Sequence, residues 1–324
     1  MKAAKICALT LTLALATAAA AQSPASYQPG QRVLLDAHNA YAYQGQWSDR
    51  VDRALSTGAP LAIEQDLIWR PATPATAAHS IVSHGEPFTG HEPTLRDFLE
   101  SLRPIATRAL SAASREDWPL ITVNLDFKDS EPLHFAAIWN VLGEYEAWLT
   151  TADRGTTVQK VEPLHLGPIL VLTGSDPAQQ IAFHDLVPLG GKLRLFGAVL
   201  PAIAAGGAMA GKPALPVATN YRRWSNNPWS VVEPEGQNHA GEWTTDDARR
   251  LRLVVRAAHD AGLWIRFYTL NGHSAERGER MGWTPSYNFN SLDNARVRWR
   301  AAIDAGVDFV ATDQYEEYAQ ISSR

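Results

Sequence analysis

The chain has 324 residues, of which 45% are hydrophobic and 19% charged, with 22 Gly and 20 Pro. This ordinary globular composition excludes a disordered chain, a collagen and a coiled coil. The formal net charge is -5, and without a long basic run the sequence excludes a nucleic-acid binder that works by neutralising phosphates.

The amino-terminal segment has the pattern of a cleaved secretory signal. Lys2 and Lys5 precede a short apolar run from Ile6 to Ala16, and small residues follow from Ala18 to Ala21. A positive start, an apolar core and a small-residue end are typical of a signal peptide, and the run is too short for a transmembrane helix. We therefore expect residues 1–21 to be removed and the protein to be exported, either to the periplasm or out of the cell.

The rest of the chain, residues 22–324, is expected to form a single domain, because it shows no linker and no internal repeat. Cys7 is the single cysteine of the sequence and lies in the signal segment. The mature protein is therefore expected to have no disulfide, no cysteine nucleophile and no thiolate metal site.

Short apolar runs alternate with longer helical patterns along the chain. Eight of these runs predict strands, and in chain order they are Val33 to His38, Leu61 to Trp69, Leu120 to Lys128, Ile169 to Thr173, Leu193 to Val199, Asn220 to Trp224, Leu263 to Leu270 and Asp308 to Thr312. A shorter run, Ser80 to His84, predicts an extension of the second strand.

Helical periodicity predicts helices over Thr94 to Leu110, Pro132 to Thr150, Thr244 to Ala261 and Asn290 to Ala305. The Ala-, Gly- and Pro-rich stretch from Pro201 to Pro216 predicts a mobile loop or a short helix. Eight strands with intervening helices favour an α/β fold, a (β/α)8 TIM barrel. A doubly wound open sheet is the main alternative, although the chain has neither a Gly-x-Gly-x-x-Gly after its first strand nor a P-loop.

Polar residues collect where the predicted strands end, which is where TIM barrels carry their chemistry. In chain order these residues are His38, Asn39, Glu64, Asp66, His84, Asn124, Asp126 and Lys128. Side chains two positions apart on a strand share a face, so the carboxylates are expected to converge. Converging carboxylates repel one another unless a cation lies among them, and oxygen ligands of this kind suit Mg²⁺ or Ca²⁺. Two histidines beside such a cluster can act as base and acid.

This ordered set resembles the PLC-like phosphodiesterase superfamily, which includes glycerophosphodiester phosphodiesterases, bacterial phosphatidylinositol-specific phospholipases C and sphingomyelinase D-type phospholipases. The segments Gly306 to Asp313 and Phe267 to Asn271 are also similar to that family's last and seventh strands. The resemblance implies a distorted TIM barrel that cleaves a phosphodiester. Asn39-Ala40 stands where many glycerophosphodiesterases have Arg-Gly, so the sphingomyelinase D type is the nearer branch.

The resemblance also implies a role for each matched residue. It assigns a divalent metal, Mg²⁺ or Ca²⁺, to Glu64, Asp66 and Asp126, and it makes His38 and His84 the catalytic histidines. It places Asn39 and Lys128 on the substrate side of the site. The expected partner is a small phosphodiester or a phospholipid, with transient contact at a membrane surface and no nucleic acid. The substrate, the choice between hydrolysis and cyclic-phosphate formation, and the oligomeric state stay open.

Several alternatives remain at this point. His91 competes with His84, although His84 follows the strand-like run directly and is preferred. Asp313 either orients a group of the site or caps the last helix. A phosphate ligand could be Arg70, Arg222 or Arg266, each of which is otherwise half of an ion pair. The 11 Trp, together with Glu64, also fit a TIM-barrel glycoside hydrolase, because sugars stack on indole rings. A barrel that binds without catalysis is the third alternative.

Overall fold

The computed structural model describes residues 27–42, 48–115, 121–199, 215–281 and 285–322. The predicted signal peptide, residues 1–21, and residues 201–214 of the Ala-, Gly- and Pro-rich stretch lie outside the described residues. Within the described ranges, no helix is both long enough and apolar enough to cross a membrane.

The strands of the described residues build a closed barrel. In chain order the strands are β1 Leu34–Ala37, β2 Leu61–Arg70, β3 His79–Val82, β4 Ile121–Phe127, β5 Thr151–Asp153, β6 Leu164–His165, β7 Ile169–Thr173, β8 Lys192–Leu193, β9 Phe196–Val199, β10 Arg222–Pro228, β11 Trp264–Tyr268 and β12 Phe309–Thr312. Eight of them are parallel neighbours in the order β1-β2-β4-β7-β9-β10-β11-β12, and β1 pairs with both β2 and β12. The predicted (β/α)8 TIM barrel is confirmed.

Helices connect the barrel strands on the outside. They are α1 Arg50–Ser56, α2 Leu95–Ser111, α3 Pro132–Glu144, α4 Pro177–Gln180, α5 Thr245–Asp260, α6 Ala275–Met281, α7 Leu292–Ala305 and α8 Tyr315–Ser322. Local sequence explains the ends of the longer ones. The hydroxyls of Thr94 and Thr244 cap α2 and α5 in capping boxes with Asp97 and Asp247. Helix α7 ends at Gly306, whose φ of 76° is the left-handed conformation that glycine adopts without strain.

Two features add to the simple barrel. Strand β3 pairs antiparallel with the end of β2 and forms the edge of the sheet, with Ser80 opposite Trp69. The predicted extension therefore exists, but it ends at Val82 and leaves His84 in the following loop. Strands β6, β5 and β8 form a separate antiparallel sheet. The helix predicted over Pro132 to Thr150 ends at Glu144, and a 3-10 turn, Glu146–Trp148, follows it.

The barrel strands alternate between an outward face and an inward face, as the pleat requires. Outward residues such as Ile63 and Val123 belong to the main core between strands and helices. Inward residues near the amino ends, such as Trp224, Trp264 and Phe309, fill the bottom of the barrel. Further along the same strands the inward positions become polar, so charged groups concentrate at the carboxyl end.

Candidate active site

A cavity of about 540 Å³ opens at the carboxyl end of the barrel. Six of the seven residues predicted for the site line it, namely His38, Asn39, Glu64, His84, Asp126 and Lys128. The seventh, Asp66, is fully buried between Glu64 and Asp126 and makes contacts with the same group. The barrel therefore brings together residues that are 90 positions apart in the sequence.

The three carboxylates lie side by side because β2 and β4 pair in register. Glu64 is opposite Asn124 and Asp66 is opposite Asp126. One ligand atom from each of Glu64, Asp66 and Asp126 lies within 4.8 Å of the others. Asn124 supports the group, since its Nδ2 atom donates to Oε1 of Glu64 at 3.2 Å.

Lys128 and Tyr41 bind the buried carboxylate from two sides. Nζ of Lys128 lies 2.8 Å from Oδ2 of Asp66 and 2.7 Å from Oδ2 of Asp126. The hydroxyl of Tyr41 donates to the same Oδ2 atom of Asp66 at 2.7 Å. The other oxygen of Asp66, Oδ1, is buried and has no hydrogen-bond partner among the described residues.

Electrostatics make the carboxylate group a fit for a divalent cation. Burial, with the neighbouring Glu64 and Asp126, raises the pKa of Asp66 to about 7 despite the opposing charge of Lys128. Asp36, Glu64, Asp66 and Asp126 supply four negative charges when ionised, whereas Lys128 and Arg266 supply two positive ones. With all four carboxyls ionised, two negative charges would be left for a cation to balance, and Oδ1 of Asp66, which has no hydrogen-bond partner among the described residues, would be an oxygen ligand for it.

Arg266 holds the opposite side of the same group. Its Nε atom donates to Oδ2 of Asp36, and its Nη2 atom lies 3.1 Å from Oε2 of Glu64. Burial alone would raise the pKa of Glu64, but Arg266, and then His38 and Lys128, hold it below its ordinary value. Arg266 is only 2% exposed, so this guanidinium is a partner of the carboxylates more than of a substrate.

His38 sits between two carboxylates. Its Nδ1 atom lies 3.2 Å from Oδ1 of Asp313 and its Nε2 atom lies 3.5 Å from Oε2 of Glu64. Asp313 is itself held by Nη2 of Arg50 and Nδ2 of Asn271. Burial lowers the pKa of His38, but Asp313 and Glu64 outweigh it and the net shift is upward. The imidazole is therefore fixed in orientation and made more basic.

His84 lies across the mouth, in the loop after β3. Burial lowers its pKa, and the positive charges of Lys128 and His38 lower it further. Its competitor His91 is exposed, and it is not among the described residues that line the cavity. The geometry thus keeps His84 as the candidate for the second histidine, as the strand pattern predicts.

The far wall of the cavity is polar and less charged. It consists of residues from the ends of β7, β9, β10 and β11, including Ser175, Asp176, Gln179, Asn226 and Tyr268. The rings of Tyr268 and Tyr287 meet edge to face, with centroids 5.9 Å apart. This wall offers hydroxyl, amide and carboxylate groups beside aromatic surface, which suits a hydroxylated organic group.

Comparison with known proteins gives structural matches only. No protein-family model and no curated protein matches the chain. It is similar to a calcium-dependent phosphoinositol-specific phospholipase C from Pseudomonas sp., with 13% identity, a TM-score of 0.48, and coverage of 91% of this chain and 95% of that one. It is also similar to a glycerophosphoryl diester phosphodiesterase from Parabacteroides distasonis, with 10% identity, a TM-score of 0.43, and coverage of 90% and 86%.

A third similar structure is the HPPK-DHPS protein of Plasmodium falciparum, with 8% identity and a TM-score of 0.45. The alignment covers 91% of this chain but only 48% of that one. At these identities the likeness concerns the fold alone.

The structure adds residues that are not in the predicted site, and it gives Arg266 its partners. Asp36 and Arg266 form a buried ion pair below Glu64. Tyr41 donates to Asp66, and Arg50 binds Asp313. Period-two alternation gives a signal for two of them, because Asp36 precedes His38 by two positions and Arg266 precedes Tyr268 by two. Tyr41 and Arg50 lie in a loop and a helix, where no such pattern applies.

Proposed function

We propose that this protein is an exported, divalent-metal-dependent phosphodiesterase that cleaves a phosphodiester of a lipid or glycerol-type substrate. The observation that carries the proposal is the placement of His38, His84, Lys128 and the three carboxylates around one cavity. A phosphodiester is an anion whose cleavage needs charge neutralisation and two proton transfers. These residues are the groups that provide both.

Glu64, Asp66 and Asp126 are the proposed metal ligands. A Mg²⁺ or Ca²⁺ ion held there would act as a Lewis acid on the phosphoryl oxygens. Binding favours the ionised form of Asp66, so the burial that raises the pKa of this carboxyl would be offset by the ion. Arg266 keeps Glu64 ionised and in place from below.

Lys128 is the proposed phosphate contact. It is 26% exposed at the edge of the cavity, whereas Arg266 is 2% exposed. Its pKa is raised, because Asp66 and Asp126 outweigh the effect of burial, so it carries its charge throughout the neutral range. A cation at this place stabilises the negative charge that builds up on the phosphoryl oxygens.

The two histidines are the proposed proton-transfer pair. Nε2 of His38 takes a proton from the nucleophile, which is water or a hydroxyl of the substrate, as the new P–O bond forms. Asp313 stabilises the imidazolium that results, since it accepts from the Nδ1 side. The P–O bond to the leaving group then breaks, and His84 gives its proton to the departing alcohol. The lowered pKa of His84 makes its protonated form a good donor.

The proposal is tested by the hydrolysis of bis-p-nitrophenyl phosphate and a small panel of phosphodiesters and phospholipids, with Mg²⁺, Ca²⁺ or EDTA. We expect metal-dependent turnover that is lost in His38→Ala. His259→Ala is the matched control, because this histidine also pairs with a buried carboxylate, that of Asp308 at 2.9 Å, but does not line the cavity. Metal binding without turnover on any of these substrates would favour a non-catalytic barrel, and chelator-insensitive cleavage of an aryl glycoside would favour a glycosidase.

Export is a separate part of the proposal and needs its own test. We expect full-length protein expressed in a Gram-negative host to appear outside the cytoplasm without residues 1–21. Amino-terminal sequencing of the fractionated protein measures this. Retention in the cytoplasm with an intact amino terminus would contradict it.

A further inference from the structure

A second group of catalytic character lies away from the cavity, between the β2–β3 hairpin and the start of α3. Oγ of Ser80 lies 2.7 Å from Nε2 of His134. Nδ1 of the same imidazole lies 2.9 Å and 3.1 Å from the two carboxylate oxygens of Asp129. None of the three residues is among those that line the cavity described above.

Each member of this group is held in place by its surroundings. Backbone amides of Trp69 and Glu131 donate to the carboxylate of Asp129, at 2.8 Å and 3.2 Å. The imidazole of His134 is fully buried, with the ring of Trp69 stacked on it at 5.5 Å and that of Phe127 against it edge to face at 4.9 Å. The carboxylate therefore accepts from Nδ1, which leaves the lone pair of Nε2 for the serine hydroxyl.

The protonation state and the position of the serine suit nucleophilic chemistry. Burial lowers the pKa of His134 despite the carboxylate of Asp129, so the imidazole is neutral and can accept a proton. Ser80 is half-buried and lies on β3, the edge strand of the sheet. The serine is thus partly exposed to solvent, while its base is fully buried.

We propose that Ser80, His134 and Asp129 form a serine nucleophile site with esterase activity towards carboxylic esters, separate from the phosphodiesterase centre. Oγ of Ser80 attacks the carbonyl carbon, and its proton passes to Nε2 of His134. The ester C–O bond breaks and the departing alkoxide takes that proton. Water then adds to the acyl-serine by the same route, releasing the carboxylic acid and restoring the serine. Asp129 is a positioning residue.

The test is the reaction of the full-length protein with a fluorophosphonate, in which the Oγ–P bond forms, the P–F bond breaks and hydrogen fluoride leaves. A positioned base accelerates such attack by about 10²–10⁴-fold. We therefore expect peptide mapping to find Ser80 labelled at least about 100-fold faster than Ser101, whose hydroxyl donates to the Phe98 carbonyl. Asp129→Asn should slow the labelling at Ser80, and Ser101→Ala should leave it unchanged.

Hydrolysis of p-nitrophenyl acetate gives the second readout. We expect turnover with a burst of p-nitrophenol that persists in EDTA and in His38→Ala, and that Ser80→Ala removes. Because the phosphodiesterase depends on a metal, failure of one activity is distinguishable from failure of the other. Labelling of Ser80 in the folded wild-type protein at no more than the rate of Ser101 would overturn the proposal, and so would an adduct that maps elsewhere.

Discussion

Nδ1 of His38 lies 3.2 Å from Oδ1 of Asp313, although the two residues are 275 positions apart. The contact follows from barrel closure, because β1 and β12 are neighbours and Ala37 is opposite Thr312. Both side chains therefore leave adjacent strands at the same height. The first and last strands of the barrel together build one half of the proposed proton-transfer pair.

Replacing this carboxylate should damage catalysis more than folding. We expect Asp313→Asn to reduce kcat on a phosphodiester by about 100-fold or more, because the amide neither fixes the Nδ1–H tautomer nor stabilises the imidazolium. The pKa of His38 should fall in the variant, since Asp313 is the main group that raises it. Kinetics at saturating metal, with NMR titration of His38, measure both effects.

Asp308→Asn is the control for that variant. Asp308 is also buried and also pairs with a histidine, since Nε2 of His259 lies 2.9 Å from its Oδ2 atom, but it lies at the opposite end of β12. We expect a loss of stability with kcat per folded molecule unchanged. Equal losses of kcat in the two variants would show that the effect at Asp313 is structural.

The raised pKa of Asp66 makes the metal-free stability depend on pH. The folded pKa is about 7 and the unfolded value is about 3.9. The folded state therefore binds this proton more tightly, so its contribution is fully present below about pH 4 and is lost as the pH rises through 7. The loss is about 4 kcal/mol by linkage. In EDTA, the unfolding free energy of the wild type relative to Asp66→Asn should therefore fall between pH 5 and pH 8.

Added Ca²⁺ or Mg²⁺ at pH 8 should reverse this loss in the wild type, because the ion favours the ionised carboxylate. Asp66→Asn should gain much less. Urea unfolding at each pH measures four free energies of unfolding, namely those of the wild type and of Asp66→Asn, each with and without metal. If the unfolding free energy of the wild type relative to Asp66→Asn in EDTA did not change with pH, the assigned position of this carboxyl in the metal group would be contradicted.

Local patterns in the sequence were sufficient for the main residues of the site. Glu64, Asp66, Asp126 and Lys128 are found because period two places alternate residues on one face and because strands of a barrel end at one rim. The sequence does not decide whether Asp313 orients a group of the site or caps the last helix, because its distance from His38 depends on how the first and last strands close the barrel. For the same reason the sequence leaves the role of Arg266 open between a phosphate ligand and half of an ion pair, and the structure shows it in an ion pair with Asp36.

The parts that were not predicted lack a local signal. Strands β6 and β8 have two residues each, which is too short for alternation to appear. Tyr41 and Ser80 form hydrogen bonds with Asp66 and His134, which are 25 and 54 positions away in the sequence. Contacts of this kind depend on tertiary packing, so they become visible only in the folded chain.

The opposite pKa shifts of the two histidines predict a bell-shaped pH profile. His84 is lowered by burial and by Lys128, whereas in His38 the carboxylates of Asp313 and Glu64 outweigh burial and raise the pKa. The pair holds one proton at a pH between the two pKa values, two protons below them and none above. That proton lies mainly on His38, so the active form, with His84 protonated and His38 neutral, is the minor one-proton form. We expect kcat/KM to fall on both sides, with midpoints below and above about 6.5.

Variants test the assignment of the two limbs. Asp313→Asn should move the alkaline midpoint to lower pH, because it removes the charge that raises the pKa of His38. His84→Ala should remove the alkaline limb from the residual activity, because His38 must still lose its proton to act as the base while no acid remains to be deprotonated. A profile with one limb in the wild type, measured at saturating metal, would contradict a proton-transfer pair.

The leaving group distinguishes the roles of His84 and His38. p-Nitrophenolate departs without being protonated, whereas an alkoxide needs an acid. We expect His84→Ala to lose about 10²–10⁴-fold on a diester with a simple alcohol as its leaving group and only a few-fold on the matched p-nitrophenyl diester. His38→Ala should lose activity on both, because the nucleophile needs its base in either case. Steady-state kcat values for the four combinations decide the matter, and a selective loss in His38→Ala instead would reverse the two roles.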